Sequence, residues 1–388
     1  MTTRAQGDST GLRCASVAVM QSRASSPTSP VAISRAKGVD RPVMNLGALY
    51  RQMMRSRTFE LAVADLWRRG LISGEMHLGT GEEAVAAAVV AHLRDDDGLA
   101  LAHRCTPVLV ARGVPLLAML REMLGKEDGL CGGRGGHMHL ASREHRVAAS
   151  GIVGASLPMA AGFALAAKRL RAGAVGVAFT GEGAMNQGQA LETLNLAAAW
   201  SLPLVVVCVD NGWAIVTRSD SVTGGDLVER ARAFGWDASS LDGTDVVAAY
   251  RAAEAAIGRA RQGRGPTLLL AKCPRLDGHF LGDPLLRQAR NPFGAETLGT
   301  LRTVLSAARA SEGGSVVERA RSMAKIGTVM ARASLAAERG ASDDPVVLAA
   351  DALGYEEQSA IDGDVEREIR AVVEQALDAS RDGGEADA

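Results

Sequence analysis

The sequence predicts an α/β fold, a doubly wound and mostly parallel sheet with helices on both faces. Short apolar segments of strand length occur at about Val175–Phe179, Leu204–Val209 and Thr267–Ala271. Because these segments are apolar without alternation, they have the pattern of parallel strands that are buried on both faces. Helical patterns lie between them along the chain, and strands that alternate with helices are typical of a parallel sheet.

Helices are predicted wherever apolar residues recur near a period of 3.6. The first of them carries Leu46, Leu49 and Met53 at this spacing. Thr80 stands before the second helix, where its hydroxyl is placed to cap the unpaired backbone N–H groups. The predicted helices lie at about 46–69, 82–93, 156–170, 187–200 and 246–260.

Three regions differ in composition and are predicted as separate parts of the chain. Residues 1–43 are expected to form a disordered tail, since they carry Ser, Pro and Arg without an apolar period. Their many Arg and Ser residues and few acids also fit an organelle transit peptide, which stays open as an alternative. Residues 44–295 are predicted to be the α/β domain. Residues 296–388, rich in Ala, Arg and Glu, are predicted to form a helical C-terminal extension.

Composition and charge argue against several classes of partner. The 388 residues are 47% hydrophobic and 22% charged, as in a globular protein, and the formal net charge is −1. This charge gives no electrostatic attraction to nucleic acid or to an anionic membrane. No apolar run approaches the roughly 18 residues of a membrane span. The five cysteines are odd in number and lack metal-ligand spacing, which predicts free thiols in a reducing cytoplasm.

A divalent cation is predicted between the ends of two strands. Glu182 lies between Gly181 and Gly183 after one predicted strand, and Asn211 follows the next strand. If these strands are parallel neighbours, the carboxylate and the amide oxygen meet at the same edge of the sheet. With the main-chain carbonyl of Trp213 they would give Mg²⁺ three oxygen ligands, and a diphosphate and water would supply the others. A Gly-X-Gly turn alone is also compatible with a nucleotide-binding fold.

Five motifs follow one another along the chain. They are Gly74-Glu75-Met76-His77-Leu78 with Gly81-Glu82-Glu83-Ala84; Gly132-Gly133-Arg134-Gly135-Gly136-His137-Met138-His139; Gly151-Ile152-Val153-Gly154-Ala155; the segment Gly181–Gly188; and Gly278-His279 before Asp283-Pro284. With these motifs, the segment from about Leu46 to Pro284 resembles the alpha subunit of the thiamine diphosphate-dependent decarboxylating component of 2-oxo acid dehydrogenase complexes. Pyruvate, branched-chain 2-oxo acid and acetoin dehydrogenases belong to this family. The resemblance implies the thiamine diphosphate-binding fold, with thiamine diphosphate and Mg²⁺ as cofactors.

The resemblance also implies roles for individual residues. Arg104, within His103-Arg104-Cys105, would contact the diphosphate, because a guanidinium forks well onto phosphate oxygens. His279 would be the active-site histidine, and His77 would be a catalytic residue near the thiazolium ring. The implied cofactor contacts are His103, Arg104, Gly151, Val153, Gly181, Glu182, Gly183, Ala184, Asn211, Trp213 and His279. The implied metal ligands are Glu182, Asn211 and Trp213.

Four of the departures from the family pattern bear on the activity. Thr106 and Pro107 stand where the family often has His and Gly, and Asp277 and Phe280 replace the usual His and Ser. The first pair puts the local substrate pocket in doubt. Without a serine at 280, regulation by phosphorylation of that position is not available. We expect the carboxylate of Asp277 to favour the charged form of His279, which would raise its pKa.

The implied partners follow from what the chain lacks. One sheet domain and a helical extension use up its length, and no second sheet domain can supply the glutamate that thiamine chemistry needs. The resemblance implies a separate beta subunit in an α2β2 heterotetramer, with acyl transfer to the lipoyl domain of an acyltransferase core. The implied reaction is oxidative decarboxylation of a small 2-oxo acid, pyruvate or a branched-chain acid. The alternatives are an acetoin dehydrogenase alpha subunit, an inactive cofactor-binding paralogue and a stand-alone transketolase-type enzyme, which the length disfavours.

Overall fold

The structure, a computed structural model, describes residues 44–283 and 343–378, with six isolated positions between these ranges. The predicted tail, 1–43, lies outside the described residues, as does most of 284–342. The helices are α1 Leu46–Arg68, α2 Glu83–Val90, α3 Thr106–Arg112, α4 Leu116–Met123, α5 Ser156–Leu170, α6 Gly188–Ala199, α7 Leu227–Ala233, α8 Val246–Arg261, α9 Pro345–Asp351 and α10 Tyr355–Leu377. The strands are β1 Gly98–Leu101, β2 Ala141–Ser142, β3 Val147–Ala149, β4 Gly176–Gly181, β5 Leu204–Asp210, β6 Trp213–Ala214, β7 Thr217–Arg218, β8 Asp237–Asp242 and β9 Thr267–Lys272.

Seven strands form one sheet in the order β2-β3-β1-β4-β5-β9-β8. Every neighbouring pair is parallel except β2–β3, which is antiparallel. Strands β6 and β7 form a separate antiparallel hairpin. The mostly parallel sheet confirms the predicted fold class.

Each face of the sheet is covered by helices. Along β5, Val206 and Cys208 face a core that includes the apolar sides of α5, α6 and α7. Val205 and Val207 face the opposite core, to which α1 to α4 and α8 to α10 contribute. Because both faces of β5 are buried, its apolar residues do not alternate with polar ones. This uninterrupted apolar run is what allowed the strand to be predicted as buried on both faces.

The described part of the C-terminal region packs against the α/β domain. Helix α10 lies along α1, and Val365 and Ile369 belong to the same core as the first helix. Arg57 of α1 joins two distant segments, since it forms ion pairs with Glu83 at 2.6 Å and with Asp344 at 2.7 Å. The C-terminal helices α9 and α10 therefore belong to the core of the sheet domain.

The predicted helices and strands that fall in the described residues are all present, with ends shifted by a few residues. The prediction that Thr80 caps the second helix is wrong. Glu82 occupies the cap position of α2 without a side-chain bond, and the Thr80 hydroxyl donates to Asp277 at 2.7 Å instead. No helix within 44–283 and 343–378 is long and apolar enough to cross a membrane.

Candidate active site

The carboxyl ends of four parallel strands meet at one edge of the sheet. Strand β1 leads into His103 and Arg104, β4 into Glu182, β5 into Asn211, and β9 into the loop that carries His279. In the parallel pairing of β4 with β5, Gly181 lies opposite Val209, so Glu182 and Asn211 both follow the last paired residues. Ligands in open α/β sheets bind at this edge. The register thus places most of the predicted site residues in one region.

Oxygen atoms dominate one side of this region, which we call the oxygen corner: Glu182, Asp210, Asn211 and Ser219. The Glu182 side chain is buried, with 3% of the residue exposed. No described Lys or Arg forms an ion pair with it; its carboxylate accepts a hydrogen bond from the Ser219 hydroxyl. Burial and the neighbouring Asp210 charge raise the pKa of Glu182 above its ordinary value, whereas the Ser219 hydroxyl and the nearby backbone of Glu182 and Asn211 act to lower it.

The oxygen corner fits a hard divalent cation. A buried carboxylate beside a second acid is costly to ionise unless a positive charge arrives to pair with it. Carboxylate and amide oxygens are also the protein ligands that Mg²⁺ prefers. A Cβ atom added at Gly183 would lie 3.0 Å from the Cβ of Ala214, so the chain packs tightly here only with glycine. The metal ligation by Glu182, Asn211 and Trp213 remains a prediction.

A short hairpin, β6–β7, forms the wall beside the oxygen corner. The backbone N–H of Trp213 donates to Oδ1 of Asn211 at 3.2 Å, which fixes the orientation of that amide. The Trp213 ring lies under the guanidinium groups of Arg218 and Arg275, at 5.3 and 5.5 Å from the ring centroid. Ile215, at the hairpin tip, has φ of 58°, a left-handed conformation that a β-branched residue rarely adopts. Arg275 donates to its carbonyl at 2.8 Å and helps to hold this turn.

Four histidines cluster in another part of the region, which we call the imidazole corner: His77, His103, His137 and His279. The ring of His77 contacts those of His103 and His279 edge to face, with centroids 4.9 and 4.7 Å apart. It stacks on His137 at 5.4 Å. One ring nitrogen from each of His77, His103 and His279 lies within 4.8 Å of the other two. The structure thus brings the two predicted catalytic histidines together.

One hydrogen bond fixes the tautomer of His137. The backbone N–H of His77 donates to its Nε2 at 3.0 Å, so this nitrogen carries no proton. Nδ1 of His77 lies 3.1 Å from the same nitrogen, and the tautomer of His77 that carries its proton on Nδ1 would also donate to it. In that tautomer Nε2 of neutral His77 keeps its lone pair. It can accept a hydrogen bond or bind a metal.

Burial keeps these imidazoles uncharged. It lowers the pKa of His77 to about 3 and that of His103 to about 2, and the charge of Arg104 adds to both shifts. Burial, Arg104 and Arg275 lower the pKa of His279 to about 4, while Asp283 acts against them. The prediction that Asp277 would favour charged His279 is therefore wrong. The carboxylate of Asp277 accepts from Thr80, whereas Asp283 is the acid that contacts residue 279, through its backbone N–H.

Arg104 is close enough to both corners to interact with them electrostatically, and it has little exposure. Its guanidinium donates to the carbonyls of Leu78 and His279, the second at 2.8 Å. Glu82 approaches it to 3.9 Å, and burial raises the pKa of that carboxyl to about 8 in spite of this neighbour. Arg104 therefore holds together the loops before α2 and after β9. Its predicted contact with the diphosphate remains a prediction.

The remaining predicted contacts lie around the same edge. Gly151 and Val153 follow β3, and the Val153 carbonyl accepts from the Gln189 side chain at 2.7 Å. A Cβ at Gly151 would come within 3.2 Å of the His139 ring and of the Met138 sulfur. Ala184 lies in the turn between β4 and α6 and is buried. The contacts assigned to Gly151, Val153, Gly181 and Ala184 stay predictions.

Several residues in this region were missed by sequence reasoning. Glu60 of α1 is buried and accepts from the backbone N–H of Gly79 at 2.7 Å, while its other oxygen has no hydrogen-bond partner in the described structure. An acid on the apolar face of a helix was a signal that could have revealed it. Ser219 and Arg275 gave no such signal, and the motif that includes Asp283 did not indicate its contact with His279, because these contacts depend on the hairpin and on the loop after β9.

The segment that builds this site matches a known protein family. A family model described as the dehydrogenase E1 component matches residues 51–292, more than half of the chain. The alpha subunit of an acetoin:2,6-dichlorophenolindophenol oxidoreductase from Cupriavidus necator is 45% identical over 237 residues, covering 61% of this chain and 71% of that protein. The Bacillus subtilis protein of the same name is 43% identical over the same shares. The alpha subunit of the pyruvate dehydrogenase E1 component from Zymomonas mobilis is 37% identical over 246 residues, 62% of this chain and 69% of that protein.

Proposed function

This chain belongs to the dehydrogenase E1 component family, and we propose that it is the alpha subunit of a thiamine diphosphate-dependent dehydrogenase. Its reaction would be the oxidative decarboxylation of a small 2-oxo acid, with the acyl group passed to the lipoyl domain of an acyltransferase core. The observation that carries this proposal is the meeting of a buried carboxylate, an amide, an arginine and three neutral histidines at one strand-end edge. This constellation suits a metal-bound diphosphate next to a reaction pocket.

The oxygen corner would bind the cofactor, and the imidazole corner would act on the substrate. Glu182, Asn211 and the Trp213 carbonyl would hold Mg²⁺, and Arg104 would face the diphosphate from the other side. Bound thiamine diphosphate supplies the electron sink for loss of the carboxylate. His279 and His77 would lie beside the reacting atoms as neutral imidazoles, able to accept or return a proton at a ring nitrogen. Fixed, largely buried groups here cost little reorganisation when the substrate binds.

The rim of this edge supports a partner subunit. Ile152, Val153, Ile215, Val216 and Val222 are all exposed apolar residues in the segments around the site. Contiguous exposed apolar groups mark surfaces for association, and we propose that these five residues contribute to one. We propose that a beta subunit covers this rim in an α2β2 heterotetramer and supplies the cofactor contacts that this chain lacks.

Acetoin is a second candidate substrate. Two of the relatives above are named as acetoin oxidoreductase subunits, and their identities of 45% and 43% exceed the 37% of the pyruvate dehydrogenase subunit. Cleavage of acetoin would use the same cofactor-binding residues with a different substrate pocket. We also propose a reducing, cytoplasmic location, since Cys105, Cys131, Cys208 and Cys273 are free thiols in the described structure.

Co-expression with a candidate beta chain tests the proposal. The assembled protein, supplied with thiamine diphosphate and Mg²⁺, should reduce 2,6-dichlorophenolindophenol with a 2-oxo acid or with acetoin. A panel of pyruvate, branched-chain 2-oxo acids and acetoin then identifies the substrate. The matched control is the same assembly with Glu182→Gln, which should have lost turnover.

The chain alone should bind the cofactor weakly and show no turnover. Turnover without any partner would contradict the need for a beta subunit. Cofactor binding in the assembly without turnover on any of these substrates would instead support the inactive paralogue, for which the departures at Thr106, Pro107, Asp277 and Phe280 are the argument.

A further inference from the structure

Three histidines from separate segments converge in the imidazole corner. His77 lies in the loop between α1 and α2, His103 follows β1, and His279 belongs to the loop after β9. One ring nitrogen of each is within 4.8 Å of the other two. These segments are far apart in sequence, so the three histidines come together only when the chain folds.

Two of these rings have a nitrogen that can take a ligand. With its proton on Nδ1, next to Nε2 of His137, His77 keeps a lone pair on Nε2. Nε2 of His103 is buried and has no hydrogen-bond partner in the described structure. A buried ring nitrogen without a partner is costly, and it calls for a ligand atom that satisfies it. Since burial keeps all three imidazoles neutral, none needs to lose a proton before it binds a metal.

We propose that His77, His103 and His279 form a second metal site, which takes a transition-metal ion of the Zn²⁺ class. Three neutral imidazoles and one open position are a common ligand set for Zn²⁺. Mg²⁺ does not compete for it, because hard cations select oxygen ligands. The edge of the sheet then carries two sites of opposite preference, the oxygen corner for Mg²⁺ and the imidazole corner for Zn²⁺.

The geometry requires a modest contraction. Tetrahedral Zn²⁺ with Zn–N bonds of about 2.0–2.1 Å sets the ligating nitrogens roughly 3.4 Å apart. His279 can supply the movement, because its loop is only partly buried, whereas His77 is fixed against His137. His137 in turn acts as the outer partner that orients a metal-bound histidine. Arg104 opposes a cation here, so the affinity should be lower than in a dedicated structural zinc site.

Occupancy of this site would block the reaction pocket. An ion held by His77 and His279 would remove both proposed catalytic imidazoles from the substrate. Zn²⁺ should therefore inhibit the assembled enzyme, and excess Mg²⁺ should not reverse the inhibition. The proposed metal is thus a regulator or inhibitor and takes no part in the established chemistry of the family.

Metal binding to the full chain tests the proposal without any turnover. Equilibrium dialysis against ZnCl₂, with Mg²⁺ in large excess, should show one Zn²⁺ per chain. His103→Gln and His279→Gln should each weaken this binding by at least about tenfold, since even the loss of an outer partner costs roughly 10–100-fold. His145→Gln, a histidine outside the cluster, and Cys131→Ser, a partly exposed thiol, are the controls and should bind as wild type. Circular dichroism checks that each variant is folded.

Co²⁺ gives a second readout that needs no variant. Its visible d–d bands should be intense, as for a four-coordinate nitrogen site, and should lack a thiolate charge-transfer band. Binding that both histidine variants retain, a thiolate band, or no Zn²⁺ bound under Mg²⁺ would each overturn the proposal. None of these results bears on the proposed dehydrogenase, whose failure would appear as absent turnover with every beta chain while Zn²⁺ still binds.

Discussion

The oxygen corner and the imidazole corner share one edge of the sheet but respond to burial in opposite directions. Burial raises the pKa of Glu182 and lowers the pKa values of His77, His103 and His279. Both shifts favour the uncharged form. The difference lies in what each corner needs: the acids need a cation to become charged, whereas the neutral imidazoles offer lone pairs to a proton, a substrate or a soft metal.

The charge of Arg104 acts on both corners. It interacts electrostatically with Glu182, and it lowers the pKa values of His77, His103 and His279. An anion such as a diphosphate would find Mg²⁺ on one side and this guanidinium on the other. The site therefore gains its charge from its ligands, and each corner can be tested separately.

The largest effect is expected for Glu182→Gln. Without the acidic ligand, kcat/KM of the assembled enzyme should fall by more than about 100-fold, since the loss of outer partners alone costs 10–100-fold. Cofactor binding measured by calorimetry should lose its Mg²⁺ dependence. Glu182→Asp should retain most of the activity, because either carboxylate can bind Mg²⁺. If cofactor binding to Glu182→Gln required Mg²⁺ at the same concentration as in the wild type, Glu182 would not be a metal ligand, and the assignment of Mg²⁺ to the oxygen corner would be wrong.

A smaller loss is expected for Arg104→Met. The Kd for thiamine diphosphate should rise by about 10- to 100-fold, since a charge-assisted contact of roughly 1.5–3 kcal/mol is removed. Arg104→Lys should restore little, because lysine lacks the planar fork that reaches the carbonyls of Leu78 and His279. Arg264→Met, an exposed arginine between α8 and β9, is the control and should bind as wild type. Full rescue by lysine would show that only the charge matters.

The smallest effect concerns the pH dependence of stability. The pKa of His103 is about 2 in the folded chain and about 6.5 when unfolded, so near pH 5 unfolding takes up about one proton at this residue. Stability from this group is present above pH 6.5 and is lost as the pH falls. His103→Gln should therefore make the decline in the free energy of unfolding shallower below pH 6.5. Urea titrations between pH 5 and 7 measure this slope.

Glu182→Gln provides the mirror experiment in the ligand-free chain. The pKa of the wild-type Glu182 carboxyl is raised in the folded chain, so the folded chain keeps a proton that the unfolded chain releases. Glu182 therefore stabilises the fold more as the pH falls. The substitution should remove that gain and shift the slope in the opposite sense to His103→Gln. Equal shifts of both variants in one direction would contradict the comparison between the corners.

The strands that the sequence predicted are those with both faces buried. Apolar runs revealed β4, β5 and β9, and the alternation with helices indicated a parallel sheet. Strand β1 was missed because it has only four residues, and β8, Asp237–Asp242, because it lies at the sheet edge with several exposed polar residues. Short and edge strands carry too little of the apolar pattern to be recognised.

The site was predictable as far as it depends on strand order. Glu182 and Asn211 are brought together by the parallel pairing of β4 with β5, which the pattern indicated. The hydrogen bond from Ser219 to Glu182 and the lowered pKa of His279 depend on loops whose course no local pattern fixes. The wrong expectation for Asp277 illustrates this. Asp277 is nearer to His279 in sequence, but the fold of the loop brings Asp283 into contact with residue 279.

The central claim is that Glu182 and Asn211 bind one cation that holds the diphosphate. The most direct test is a crystal structure of the assembly with its beta subunit, grown with thiamine diphosphate and with Mn²⁺ in place of Mg²⁺. We expect one anomalous peak within about 2.0–2.4 Å of oxygens from Glu182, Asn211 and the Trp213 carbonyl, with diphosphate oxygens completing an octahedron. A manganese peak elsewhere, or a diphosphate bound away from this end of β4 and β5, would contradict the account.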